Sequence, residues 1–349
     1  MNMNKVIILG STQGAVKAVE EIRAADKTSE IVLLSFDGYY PYDRRHFFDL
    51  LNKTVPLNKI FYKTKDFYEK HKVKVILDKK ITKIAFKKHK VFIEDQEPLD
   101  YDLLVITQPP DYSLPDIKGI HKEGVFTLKK LKEIEQIIHL LPLTDTVAVQ
   151  SAALQGLKTI SFFLSQGKEV LWIFEKQSVF SRWLTSDQKE RLWKCFEENR
   201  LRVLEGNPIV EMLGDADIKA VRLNSGKVIA CPIVIFPEAG DDFRLFAGSP
   251  LKINQKICVD RNFKTNVENV LAVDEACGLE QKTKEADLET QNDRLEEYFL
   301  KVPGLTLSLF KEPGLPDETK MKVLEKFDEK ANLELVIEEA IAAPYGILV

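Results

Sequence analysis

"VIILGSTQGAVKAVEEIR", residues Val6 to Arg23, joins four apolar residues to a glycine and then to a run in which Ala15, Ala18, Val19 and Ile22 recur at helical spacing. The apolar run reads as a strand buried on both faces, Gly10 as the tight turn that ends it, and the remainder as an amphipathic helix. Strand, glycine turn and helix make the first half of a βαβ unit. The start of such a helix offers unpaired N–H groups and a positive dipole end to a pyrophosphate. The dinucleotide fingerprint G-x-G-x-x-G/A fits in part. Gly10 fills the first place and Ala15 the third, where it packs helix on strand, but Thr12 holds the second, with Gln13 and Gly14 completing the turn. A Cβ and a hydroxyl at Thr12 take space through which a phosphate would approach the backbone. The next strand, Ile31–Phe36, carries Ser35 where an acid would bond the ribose, with Asp37 two residues on.

The same order of elements occurs twice. Val73–Thr107 reads as a short strand, an alternating hairpin and a buried apolar strand, and Leu201–Phe236 repeats it, with the Asn224–Gly226 turn matched to the bend at Lys87–Lys88. Ahead of the second copy, Thr146–Glu175 gives the strand, small-residue turn, helix and strand again. The repeat predicts an α/β fold with two nested Rossmann-like domains.

Composition narrows the function classes. The chain has 349 residues, 44% of them hydrophobic and 30% charged, which suits two or three globular domains. A net charge of −4 argues against general affinity for nucleic acid or anionic membranes, and the lysine-rich stretch Lys63–Lys74 reads as a solvated face rather than a docking face. No apolar run approaches the ~18 residues of a membrane span and no signal-peptide pattern opens the chain, so a cytoplasmic location is expected. Cys195, Cys231, Cys258 and Cys277 form no C-x-x-C pair, and the five histidines show no metal-binding spacing, so neither a redox disulfide nor a metal site is read. Sixteen glycines fall below the usual ~7%, where intact nucleotide loops would raise the share.

Four further stretches carry a resemblance: "GYYPYDRRHFFDLL" (Gly38–Leu51), "YDLLVITQPPDYSLPDIKGIHKEGVFTLKKLKEIEQI" (Tyr101–Ile137), "FKTNVENVLAVDEAC" (Phe263–Cys277) and "LKVPGLTLSLF" (Leu300–Phe310). Together with the repeat, they make the chain resemble the FAD-dependent pyridine nucleotide-disulfide oxidoreductase superfamily, in the branch of NADH:rubredoxin reductase, the nitrite reductase FAD domain and apoptosis-inducing factor. The resemblance implies a glutathione-reductase-like fold. Its parts would be an FAD-binding-like domain (1–112 and 234–300), an inserted NAD(P)-binding-like domain (113–233) and a shortened α+β interface domain (301–349). In that tail "LTLSLF", "ANLELVIEE" and "AIAAPYGILV" read as strands, and charged Leu279–Phe299 reads as a solvated helix.

The resemblance also implies the flavin-site residues: Gly10, Thr12, Gln13, Gly14, Ala15, Ser35, Arg44, Thr107, Asp274 and Glu275. Pro41, Tyr42 and Arg44 keep the "PYxR" element of the adenine half, while Asp49 reverses a family lysine. The "ATG" turn becomes Ile106, Thr107 and Gln108, and the late "GD" element becomes Asp274 and Glu275. With FAD bound, Glu275 is expected to face the ribityl chain, with Asp274 turned away from the phosphate. In the second site only Gly156 survives of the fingerprint at Ser151–Gly156, Phe174 stands at the ribose-acid position beside Glu175, and "AxG" becomes Phe236, Pro237 and Glu238. FAD is therefore the expected cofactor, and tight NAD(P)H binding is not expected. No catalytic residue is read.

Two functions remain open. One is an FAD-dependent oxidoreductase that exchanges electrons with a protein or small-molecule acceptor and has an impaired NAD(P)H site. The other is a pseudoenzyme that has lost its cofactors and serves as a structural or regulatory subunit of a redox complex. Partners would be a redox protein, complex subunits or further copies of the chain, with no nucleic acid and no membrane.

Overall fold

Strand β1 (Lys5–Leu9) runs into helix α1 (Gln13–Ala25), which returns the chain to β2 (Glu30–Leu34), parallel to β1 with Leu9 opposite Leu34. The computed structural model describes residues 4–77, 79–151, 155–174, 186–279, 296–302, 305–311, 321–327 and 333–339. Beyond β2 lies β3 (Val73–Ile76), and on the other side of β1 lie Leu103–Ile106 and then Val270–Ala272, giving a five-stranded all-parallel sheet. Side chains of β1 alternate between two cores. Val6 and Ile8 pack with Ala15, Val19 and Ile22 of α1, whereas Ile7 and Leu9 pack with Ile84, Phe86 and Val91. Each such apolar side chain, fully buried, contributes about 1.5–3 kcal/mol.

A second five-stranded parallel sheet repeats the first. Thr146–Gln150 pairs with Glu169–Phe174 on one side and Ile233–Ile235 on the other, and Leu201–Glu205 and Val125–Phe126 form the two edges. The place that Val270–Ala272 fills in the first sheet is taken here by a strand that precedes the repeat. Each sheet carries an antiparallel meander, Ile81–Ala85 to Leu99–Asp100 in one and Ile209–Leu213 to Val228–Ala230 in the other. The two meanders share a register shift one pair in, between Ile81 and Lys83 and between Ile209 and Glu211. The two nested Rossmann-like sheets are those expected from the repeat.

Several details differ from the sequence reading. The Asn224–Gly226 turn closes the second hairpin of its meander, so its counterpart is the turn where the Gln96 N–H bonds Ile93 O (3.3 Å), as that of Gly226 bonds Leu223 O (2.8 Å). Lys87–Lys88 lies in the first hairpin, one turn earlier. The described residues fall into two compact units, within Met1–Ser113, Lys129–Gln136 and Ala239–Ala286, and within Leu114–Leu128, Ile137–Glu238 and Asp287–Val349. The boundary expected at 234 would cut Ile233–Ile235, which is locked into the second sheet by its pairing with Val147–Val149. The chain leaves that unit after Glu238 instead, and Lys129–Gln136, read as part of the insertion, belongs to the first unit.

In the tail, Glu296–Val302, Leu305–Lys311, Leu333–Glu339 and Met321–Phe327 form a four-stranded mixed sheet in that order. The sheet therefore starts at Glu296 rather than 301, and the last residues of Leu279–Phe299 are strand, not helix. Full pairing of Glu296–Val302 with Leu305–Lys311 satisfies the backbone there despite the charged side chains. The middle of that stretch, 280–295, and the expected strand "AIAAPYGILV" lie outside the described residues. Among the described residues no helix is long and apolar enough to cross a membrane.

Candidate functional site

Nine of the ten flavin-site residues implied by the resemblance lie where the first sheet's strands end, and Arg44, in the single helical turn Arg44–His46, joins them through Glu275. Gly10, Thr12, Gln13, Gly14 and Ala15 form the turn from β1 into α1, Ser35 follows β2, Thr107 follows Leu103–Ile106, and Asp274 and Glu275 follow Val270–Ala272. Gly10 has φ +120° and its N–H donates to Leu34 O (2.9 Å). A Cβ there would stand 2.9 Å from Gln108 Cγ and closer still to the Thr107 hydroxyl, so only glycine fits. Ala15 is fully buried against β1, the close helix-on-strand contact its position calls for. Gln13 is exposed at the helix start.

The loop amides that would cradle a phosphate are engaged by the protein's own side chains. The Ser11 N–H donates to Gln108 Oε1 (2.8 Å), and the Gly14 N–H donates to Asp274 Oδ2 (2.8 Å). Helix α1 has no acidic residue in its first turn, and Thr12, at its N-cap, makes no capping bond. The Thr12 hydroxyl is buried without a partner. Asp274 thus performs the cap from outside the helix, placing a carboxylate at the positive end of the dipole. Its backbone has φ +56°, a left-handed conformation that suits the glycine of the family's "GD" element and that aspartate tolerates better than most residues. Its carboxylate lies on the start of α1.

The other charged residues are also paired internally. Glu275, expected at the ribityl chain, forms an ion pair with Arg44, which also bonds the Tyr112 hydroxyl and Lys129 O (3.2 Å). Ser35 is buried, and its hydroxyl donates to Asp37 Oδ1 (2.9 Å) while accepting from the Gly38 N–H (3.1 Å). The Tyr42 hydroxyl donates to the other Asp37 oxygen, and burial followed by the Asp37 charge raises the Tyr42 pKa well above its ordinary value. Asp37 and Tyr112 were not singled out from the sequence as site residues. For Asp37 the signal was its place two residues past Ser35, and for Tyr112 there was none. Between these groups lies a small cleft bordered by Phe36, Asp37, Tyr42, Arg44, Tyr112 and Lys130.

In the second unit the Ser151 N–H donates to Ile173 O (3.0 Å), as Gly10 does to Leu34, and the Ser151 hydroxyl donates to the Glu238 carboxylate. A Cβ on Gly156 would collide with that hydroxyl. Phe174 is buried against Trp172, ring centroids 5.0 Å apart, and leaves no acid at its place. Ala152, Ala153, Leu154 and Glu175 lie outside the described residues. Among the described residues no group of three or more metal-ligating side chains exists.

The first arrangement does not fit a dinucleotide as it stands, since two of the loop amides already have oxygen acceptors and one of these is a carboxylate. In the second, the Glu238 carboxylate accepts from the hydroxyl of Ser151, the residue that follows Thr146–Gln150.

Residues 4–288 match the family model described as pyridine nucleotide-disulphide oxidoreductase. The chain belongs to this family. It is 24% identical over 275 residues to apoptosis-inducing factor 3 of Homo sapiens, covering 78% of this chain and 45% of that protein. It is 20% identical over 278 residues to the assimilatory nitrate reductase electron transfer subunit of Bacillus subtilis (strain 168), covering 79% and 36%. The chain thus spans less than half the length of these two relatives. Among solved structures, the covalent putidaredoxin reductase–putidaredoxin complex superposes with a TM-score of 0.64 at 17% identity, covering 80% of this chain and 69% of that one, a likeness of fold. Members of the pyridine nucleotide-disulphide oxidoreductase family are FAD- and NAD(P)H-dependent.

Proposed function

We propose that this chain is a component of an electron-transfer assembly, acting in contact with a redox protein, and that it does not itself take hydride from NAD(P)H. The observation that carries this reading is the Glu238 carboxylate bonded to the Ser151 hydroxyl at the start of the second loop. Two unit charges about 4 Å apart repel by about 4 kcal/mol at an effective dielectric of about 20, and a pyrophosphate brings two. Buried Phe174 offers the adenosine ribose no acceptor in return. A protein partner is supported by relatives whose names describe an electron transfer subunit and a reductase in complex with its protein partner. The test is a titration of the purified chain with NADH, followed by fluorescence and calorimetry. No saturable binding below the millimolar range is expected, and micromolar affinity would overturn the reading.

The competing reading, a flavoprotein that passes electrons to an acceptor, is favoured by the retained Gly10 turn. A purified protein with one tightly bound FAD per chain would install it.

A further inference from the structure

We infer that the flavin cradle of the first unit is filled from within: Gln108 and Asp274 supply the acceptor oxygens that a pyrophosphate would bring, and the chain folds without holding FAD. The inference is about FAD in the first unit, and its test reads that unit separately from the nicotinamide reading.

The donors are accounted for first. The Ser11 and Gly14 N–H groups each have an oxygen acceptor at 2.8 Å, and the acceptors come from residues 97 and 260 positions away in sequence. Contacts of that range are properties of the folded unit, not of a frayed helix end. The charges are accounted for next. Asp274 provides the anion that the α1 dipole favours, and α1 has neither a first-turn acid nor a capping bond of its own to compete. Glu275 and Arg44, the two charged side chains expected to meet the cofactor, meet each other.

The same replacement occurs in both halves of the repeat. Gly10 and Ser151 are equivalent, each with its N–H bonded to the end of the neighbouring strand. Leu9 pairs with Ile106 and Val149 with Ile235, so extending each register puts Thr107 opposite Gly10 and Pro237 opposite Ser151. Gln108 and Glu238 are in each case the next residue, the place of a family glycine. Both reach back to the loop with a side-chain carbonyl or carboxylate oxygen, Gln108 to the Ser11 N–H and Glu238 to the Ser151 hydroxyl. A glycine lost by drift would leave a side chain of arbitrary kind. Here the two replacements are long side chains with terminal acceptors, both turned onto the phosphate loop.

The experiment uses the full chain, expressed in flavin-replete cells. Wild-type protein is expected to show no flavin absorbance near 450 nm and to leave the fluorescence of added FAD unquenched. The double variant Gln108→Gly/Asp274→Gly, checked for native circular dichroism, is expected to quench FAD at least tenfold more strongly than wild type. Stoichiometric FAD in the wild type overturns the inference, and so does a folded double variant that binds no more FAD than wild type. Should that variant not fold, native-state hydrogen exchange on the wild type decides: protection of the Gly14 amide, unchanged by millimolar FAD, supports internal capping. Rapid exchange of that amide refutes it. NADH titration of the same samples reads the other unit separately.

Discussion

Gly10 lies against Thr107 so closely that the space a Cβ would need is already taken by the Thr107 hydroxyl, which donates to Leu9 O (3.0 Å). The turn is thus fixed from two sides, by a positive φ and by a buried neighbour with a bonded hydroxyl.

Gly10→Ala is expected to cost about 3 kcal/mol or more, combining left-handed strain with overpacking. Gly14→Ala is expected to cost less, because Gly14 does not have a left-handed φ and alanine favours the helix by about 1 kcal/mol, although its Cβ would meet Asp274 Cβ at 2.8 Å and the Asp274 backbone must shift to make room. Urea denaturation midpoints of the two variants check the contrast. Equal losses would show that the Gly10 geometry is not special.

Asp274→Ala should remove the external cap of α1 and lower stability by about 1 kcal/mol, less in high salt because the site is exposed. Thermal melts at low and at molar salt would show it. A loss independent of salt would point to packing instead of the helix dipole.

Thr12→Val is expected to be neutral or stabilising, since the Thr12 hydroxyl is buried without a partner and its desolvation costs about 1–3 kcal/mol that valine does not incur. A clear drop in melting temperature would mean that the hydroxyl is bonded in solution.

Asp43 gives the acid limb of the stability curve. The Arg45 side chain, bonded to it through Nε (2.9 Å), holds its carboxyl below the ordinary 3.8. A carboxyl depressed in the folded state contributes stability above its unfolded pKa and loses it as pH falls through the folded value. The difference in melting temperature between wild type and Asp43→Asn should therefore stay constant from neutral pH down to about 4 and shrink below 3.8. A difference that grows on acidification would reverse the sign.

The sheets were legible in the sequence because their signals are local. Val6–Leu9 is apolar throughout, Ala15, Val19 and Ile22 repeat at helical spacing, and the same pattern returns at Thr146. The closed cradles were not legible. Gln108 and Asp274 read as missing glycines, since sequence alone shows what a side chain replaces and not what it reaches 97 or 260 residues away. Charged Glu296–Phe299 read as helix because its charges masked a strand whose partner, Leu305–Lys311, supplies the pattern. Met321–Phe327, with lysines and a glutamate among its apolar residues, gave no strand signal for the same reason.

The order of the first sheet bears on how the protein emerges from the ribosome. Its outer strand, Val270–Ala272, pairs with Leu103–Ile106 across the whole inserted segment, whereas the second sheet is complete once Ile235 has been made. Because domains fold as their residues become available during synthesis, the guest sheet is finished before its host. Until residue 274 leaves the exit tunnel, the nascent α1 carries a bare positive end, which the Asp274 carboxylate neutralises only after the guest sheet has been made.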